Sequence, residues 1–558
     1  MRSTNILSLI VALLHIAGIA NTANILSLVE VLTTPDQQIW HDAIYKGLID
    51  RGHKLTVVSG SRGVAVKSPA IAQIHLEEVK RTLDANEPPT YFANTWLSAF
   101  ERVIHWYDKQ MRICQSVLAS FSGLQELIDL SRGAGVEEPF DLILFDATYG
   151  RSCLLAVAQL FGEIPIVAVS ASYITPDLLK VARGAQIQPA TVPHFTTVHD
   201  ERMNFLERLH NTAVYTTANF FRHFTSERVQ EAMLAKSAQL QEARIAPTLE
   251  GVIERVKVVL VNSHPAIDYI HALPPNVIEV GGLHFDNINR PLSVEMQTFI
   301  DNSKEGVFIV TLGIQGNFKE LRPELIEALL NTIDSFPEYG FIWGVDKSVI
   351  LSWSSRKNLF VGKWLKRSNI LAQRKVKGLI ATGSHMEVQA AAYHGVPIIS
   401  VSNGYNQPNT ARRAVALGFG VSVDISTGSE TLRNAISAIT MESTFEENAK
   451  SRQIAFRGRP QNPLDVALWW IEYVLEHPIE SGYLFSQAAS ESSFFALHSL
   501  DAVSVLVFMI AMFLLNCVVV LKQLKENFGA KAPTGKVDKS SDPKRKLKKA
   551  NGNKKKSE

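Results

Sequence analysis

At 558 residues the chain exceeds what one hydrophobic core supports, so two domains of ordinary size with appendages are expected and a single small domain is excluded. With 46% hydrophobic and 20% charged residues, 32 Gly and 23 Pro, the composition is that of a globular body, neither disordered, collagen-like nor coiled coil. The net charge of +2 divides unevenly: from Lys522 onward 13 Lys and Arg stand against 4 Asp and Glu, so a tail of +9 follows a body of −7. An acidic body of this kind excludes a nucleic-acid binder. Three cysteines, Cys114, Cys153 and Cys517, exclude a disulfide scaffold and a four-cysteine zinc site, and leave room for one Cys114–Cys153 bridge in an oxidising compartment.

In chain order, Arg2, the apolar run Ile6–Ala20 and the small residues after it follow the pattern of a secretory signal peptide, assigned to residues 1–23. A first strand is expected over Asn24–Leu32. Further short runs of Val, Ile and Leu, at Lys54–Ser59, Asp141–Asp146, Pro165–Ser170, Val258–Ser263, Gly306–Gly313, Phe341–Asp346, Lys377–Gly383 and Val396–Ser402, are separated by helix-length segments. Such runs read as buried parallel strands, and their alternation with helices predicts an α/β class. Paired glycines and a proline between Gly281 and Pro291 mark a break, which divides the body into 24–285 and 286–500. Two doubly wound halves should bind their ligand in the cleft between them, beyond the carboxyl ends of the strands. Ala502–Leu521 is long and apolar enough to cross a bilayer, giving a membrane helix at 501–521. The Lys-rich tail 522–558 then lies on the cytosolic side, which makes the chain a single-pass type I protein with a lumenal body. The ending Lys554–Glu558 has the look of a dilysine signal for retrieval to the endoplasmic reticulum; a basic segment attracted to anionic lipid is the plainer alternative.

Several stretches carry a resemblance. Val261–Pro265 with Leu273–Leu283, then Lys363–Leu365, Ala392–Pro397 and Asn406–Pro408, then Phe456–Asp465 with Trp469–Tyr473, and the terminal membrane helix with its Lys-rich tail, resemble the membrane-bound UDP-glycosyltransferases of animals. The resemblance implies a GT-B architecture: two Rossmann-like domains facing a cleft, the first holding an acceptor and the second a UDP-sugar. It implies a UDP-sugar as co-substrate with no further cofactor and no metal, and a small lipophilic acceptor. Homo- or hetero-oligomers with other glycosyltransferases are compatible with it.

Residue by residue, the resemblance brings differences. A His early in the first helix serves the family as general base, oriented by an Asp; the base position here is Gln37, or Gln38 with a slip of one residue, and an amide takes up no proton near neutral pH. The orienting carboxylate has its match in Asp146. His41 lies one turn after Gln37 and stays open as a displaced base. On the donor side the resemblance implies that Trp364 stacks on uracil and that Thr382, Gly383 and Ser384 stand where a His-Gly-Gly cradles the diphosphate; Lys366 and Arg367 depart from the family's Pro-Gln after the Trp, and one or the other would add charge there. Met386 and Ala390 replace an Asn and a ribose-binding Glu, Asn406 and Gln407 stand for the pair that holds the sugar hydroxyls, and Ile314 replaces a Ser. Three readings stay open at this point: a divergent transferase, a catalytically inactive binding or partner protein, and a scaffold without a ligand.

Overall fold

The computed structural model describes residues 22–529, apart from 31–32, 61–64, 77–94 other than 79, 83 and 92, 134–138, 184–186, 247, 287–290, 313–322, 346–355, 363–365, 402–406, 425–428 and 485–498 other than 496. Residues 1–21 of the assigned signal peptide and the dilysine-like ending lie outside these residues.

Two parallel sheets form the body. The first contains β1 (Asn24–Leu28), β2 (Lys54–Ser59), β3 (Ile71–His75), β4 (Leu142–Asp146), β5 (Ile166–Ser170), β6 (Val256–Val261) and β7 (Val277–Glu279), in the order β3-β2-β1-β4-β5-β6-β7. The second contains β8 (Val307–Val310), β9 (Gly340–Gly344), β10 (Leu359–Gly362), β11 (Val376–Ala381), β12 (Ile398–Ser400) and β13 (Gly420–Ser422), in the order β10-β9-β8-β11-β12-β13. The apolar runs named above coincide with the inner strands. The cause is two-sided burial: helices cover both faces, so each residue of β4, β5, β8 and β9 is buried and no polar alternation survives. Side chains still sort by face with a period of two. Leu26, Leu28, Ile143 and Phe145 enter one core of the first sheet, while Ile25, Leu142 and Leu144 enter the other. The second sheet divides Phe308 and Val310 from Val307 and Ile309 in the same way.

Each sheet reverses its strand order once, between β1 and β4 in the first and between β8 and β11 in the second. Register fixes these neighbours: Leu28 lies opposite Phe145, and Val310 opposite Ile380. A crevice opens beyond the carboxyl ends of the strands at such a reversal, so these are the two places where a ligand is expected.

The helix α1 (Pro35–Asp50) follows β1. Thr34 caps it, Pro35 fills the first turn, and Gln37 closes a capping box, its Oε1 accepting from the Thr34 N–H at 2.9 Å. A late helix, Pro463–Glu476, returns to the first half. It buries Ala467, Leu468, Ile471 and Val474 in the core that holds Trp40, Ile44 and Leu48 of α1. Gly47 permits that contact, since a Cβ there would stand 2.6 Å from Leu468 Cδ1. Cys114 and Cys153 are bridged, tying the helix Trp96–Ala119 to the 3-10 helix Cys153–Phe161.

Leu500–Gly529 is a single helix that belongs to a unit separate from the body. It is the one helix among the described residues that is long and apolar enough to cross a membrane, with Val505–Ile510 and Val518–Leu521 outward-facing and exposed.

Candidate active site

The reversal point of the first sheet holds a His–Asp pair. His41, on the buried face of α1, is 1% exposed, and its Nε2 lies 3.2 Å from Oδ2 of Asp146 at the end of β4. The two atoms stand in close contact without the alignment of a hydrogen bond. The second carboxylate oxygen accepts from the Thr148 N–H at 3.0 Å and from Thr148 Oγ1 at 2.6 Å. Burial works against the charge on Asp146, yet His41 and the Thr148 donors overcome it and hold the carboxyl below its ordinary 3.8. The Tyr45 ring stacks beside the imidazole with centroids 6.2 Å apart, and Tyr45 is fixed in turn by a 2.8 Å hydrogen bond with Ser27. Asp146 therefore does have a histidine to orient, although the sequence supplies an amide at the expected base position. Gln37 itself is engaged in the cap of α1, and Gln38 Nε2 donates to Asp42 at 2.9 Å.

The reversal point of the second sheet is closed by a carboxylate. The helix α2 (His385–His394) begins just beyond β11 with Ser384 as its cap. Gly383, at φ +80°, makes the turn into it, a conformation that a side chain would strain. Glu387 folds back over this turn and is 1% exposed. Its Oε2 accepts from Thr382 Oγ1 at 2.7 Å, from Ser384 Oγ at 3.0 Å and from the Ser384 N–H at 3.1 Å, and its Oε1 accepts from Thr311 Oγ1 at 2.6 Å. Thr382, Gly383 and Ser384, expected to cradle a diphosphate, thus surround an internal anion.

Charged pairs join the halves across the cleft. Arg367 Nη1 donates to Asp36 Oδ2 at 2.9 Å. Burial opposes the charge on this guanidinium, but Asp36 and Glu387 more than offset it and hold its proton more tightly than usual. Arg367 is therefore paired with Asp36 across the cleft and also feels the charge of Glu387. His385 Nε2 meets Asp268 Oδ1 at 2.9 Å; Arg413 Nη1 donates to Glu201 at 3.0 Å and its Nη2 to the Asp268 carbonyl at 3.2 Å. Gln389 Nε2 donates to the Asn262 carbonyl at 3.0 Å, and Met386 packs into a core of the first half, where its Sδ accepts from Asn262 Nδ2 at 3.0 Å. The cavity left between Tyr173, Phe195, Tyr215, Ile267, His385 and Arg413 measures about 30 Å³, room for roughly two waters.

Trp364, Asn406 and Ile314 lie outside the described residues, as does the side chain of Gln407, whose backbone opens the helix Gln407–Ala416. Sequence reasoning did not single out Asp36, Asp268, His385 or Glu387. A signal existed for the last: Ser384-His-Met-Glu387 is a capping-box spacing at the end of a strand.

Comparison with known proteins agrees with this architecture. The family described as "UDP-glucoronosyl and UDP-glucosyl transferase" matches residues 31–536. UDP-glucuronosyltransferase 2B15 of Homo sapiens is 27% identical, over 85% of this chain and 90% of its own; UDP-glucosyltransferase 2 of Dactylopius coccus is 23% identical, over 82% and 85%. Among solved structures, glycosyltransferase VinC in complex with DTDP superposes with a TM-score of 0.54 at 14% identity, covering 81% of this chain and all of its own. The UDP-glucose: anthocyanidin 3-O-glucosyltransferase in complex with UDP gives 0.53 at 14%, covering 82% and 99%. These likenesses fix the fold as GT-B. With a parallel sheet in each half, a cleft facing both reversal points and a family match over most of its length, the chain belongs to the UDP-glucuronosyl and UDP-glucosyl transferase family.

Proposed function

We propose that the protein transfers a hexosyl group from a UDP-sugar to the hydroxyl of a small lipophilic acceptor with inversion, and that His41 serves as the general base with Asp146 as its positioning partner. The observation that carries this reading is the 3.2 Å approach of His41 Nε2 to Asp146 Oδ2 at the reversal point of the first sheet. A base must titrate near neutral pH and reach the acceptor proton directly or through one water. With Nε2 turned to Asp146, Nδ1 is the nitrogen left to take that proton, and the carboxylate stabilises the imidazolium that forms. In the same reading the chain is a type I protein of the endoplasmic reticulum membrane, with its body lumenal and Leu500–Gly529 as its anchor.

The test is transfer of radiolabelled sugar from UDP-glucose and UDP-glucuronate to a panel of phenols and aliphatic alcohols by the full chain in lipid nanodiscs. His41→Ala is expected to lower kcat by about 10²–10⁴, the usual contribution of a positioned base, and Asp146→Asn by less. Turnover undiminished in His41→Ala would remove this residue from the mechanism.

A further inference from the structure

Glu387 has more partners than a helix cap requires. A capping box is complete once the side chain accepts the backbone N–H of the cap residue, which Ser384 supplies at 3.1 Å. Here Thr382 and Thr311, from the ends of the neighbouring strands β11 and β8, add two more hydroxyl donors, and Ser384 adds a third. Four donors around one carboxylate, at the head of a ten-residue helix and at the reversal point of a parallel sheet, are the features of an anion site. Two further polar atoms at the same turn are buried and without a hydrogen-bond partner. One is Ser400 Oγ, which a Cβ on Gly383 would meet at 2.9 Å; the other is His385 Nδ1. The turn thus offers polar atoms beyond those that Glu387 uses. The nearby cation is already engaged, because Arg367 is paired with Asp36.

We propose that Glu387 is a built-in occupant of the donor's anion position, which the diphosphate of a nucleotide sugar must displace, so that this one carboxylate sets donor affinity. The inference rests on the reading above that the cleft takes a UDP-sugar. An incoming diphosphate meets a like charge and competes for the Ser384 N–H and the Thr382 and Thr311 hydroxyls. Removing the charge frees these donors at the cost of half of the capping box, and leaves the sheet as it is.

Calorimetric titration of the full chain in nanodiscs with UDP, and with uridine as the ligand lacking phosphates, tests it in the wild type, Glu387→Gln and Glu387→Ala. Both substitutions are expected to tighten UDP at least ten-fold and to leave uridine unchanged. UDP affinity equal in all three proteins, including no binding in any, overturns the inference, and so does a gain for uridine as large as that for UDP, which would report a change of pocket shape. Should Glu387→Ala fail to fold, the isosteric Glu387→Gln carries the same comparison. The two readings separate cleanly. A wild type that turns over UDP-sugar with UDP affinity indifferent to Glu387 sinks only the present inference. Variants that gain UDP affinity in a protein that transfers nothing sink only the transferase.

Discussion

Arg367 shows how a single residue acquires a meaning that its neighbours in sequence do not reveal. In sequence it is a cation following Lys366 at the edge of the donor site, where either residue would add positive charge. In the fold it reaches Asp36, 331 positions away, with both side chains mostly buried at 15% and 12% exposure. Pairing of this kind is invisible to local spacing because it depends on how the two sheets face each other. His41 and Asp146 were partly legible, the one as the titratable group a turn beyond Gln37 and the other as the acid at a strand end. Their meeting depends on the β1–β4 register, which no short motif encodes. Removing one member of a buried pair leaves an uncompensated charge. Arg367→Ala is therefore expected to lower the unfolding free energy by about 3 kcal/mol, and the double substitution Arg367→Ala with Asp36→Asn to recover part of it. Urea unfolding of the three proteins reads this directly, and a double variant no better than Arg367→Ala alone would count against an electrostatic latch.

At the scale of elements, the inner strands were legible and the edges less so, for one physical reason. Strands covered on both faces have nothing polar to show, and their apolar runs stand out. The strands β3, β7, β10 and β13 lie at the four sheet edges, with partly exposed residues and mixed side chains such as those of Ile71–His75. The bridge between Cys114 and Cys153 also belongs to this scale, since it joins the long helix Trp96–Ala119 to the 3-10 helix Cys153–Phe161 across a sequence separation of 39 residues. Closing a loop of that length removes conformational entropy from the unfolded chain worth about 4 kcal/mol in the chain-entropy account, with measured effects commonly between about 2 and 4. Replacing both cysteines by alanine is expected to lower the denaturant midpoint accordingly. A midpoint unchanged in the double variant, and unchanged in the wild type on adding a reductant, would mean that the thiols do not pair in the mature protein.

Across the whole molecule, the same burial that closes the cleft sequesters histidines in neutral form. Burial lowers His194 to about 3, His284 to about 3, and His264, His271 and His394 to about 4, each from an ordinary 6.5. His194 is 1% exposed, and its Nδ1 accepts from the Thr196 N–H at 3.3 Å, so the ring is held as the Nε2–H tautomer. The unfolded chain takes up these protons as pH falls through 6.5, whereas the folded chain waits until 4 or 3. Stability is therefore present above 6.5 and declines below it. At pH 5 His194 alone accounts for roughly 2 kcal/mol of that decline. Buried acids oppose the trend in part. Asp42, Asp177 and Glu279 are raised, chiefly by burial, and favour the folded state as they protonate, but they are fewer than the histidines. Asp146 and Asp268 are held below 3.8 despite burial, mainly by His41 and His385, and withdraw their support only below that value. The midpoint of thermal unfolding for the full chain in detergent is accordingly expected to fall steadily from pH 7 to pH 5. His194→Gln, which cannot take up a proton, should lower stability at pH 7 yet flatten the slope between the two. A midpoint at pH 5 equal to that at pH 7 would mean that these rings lie close enough to water, in solution, to protonate without unfolding the chain, and that the cleft stands open far more of the time than its packed geometry implies.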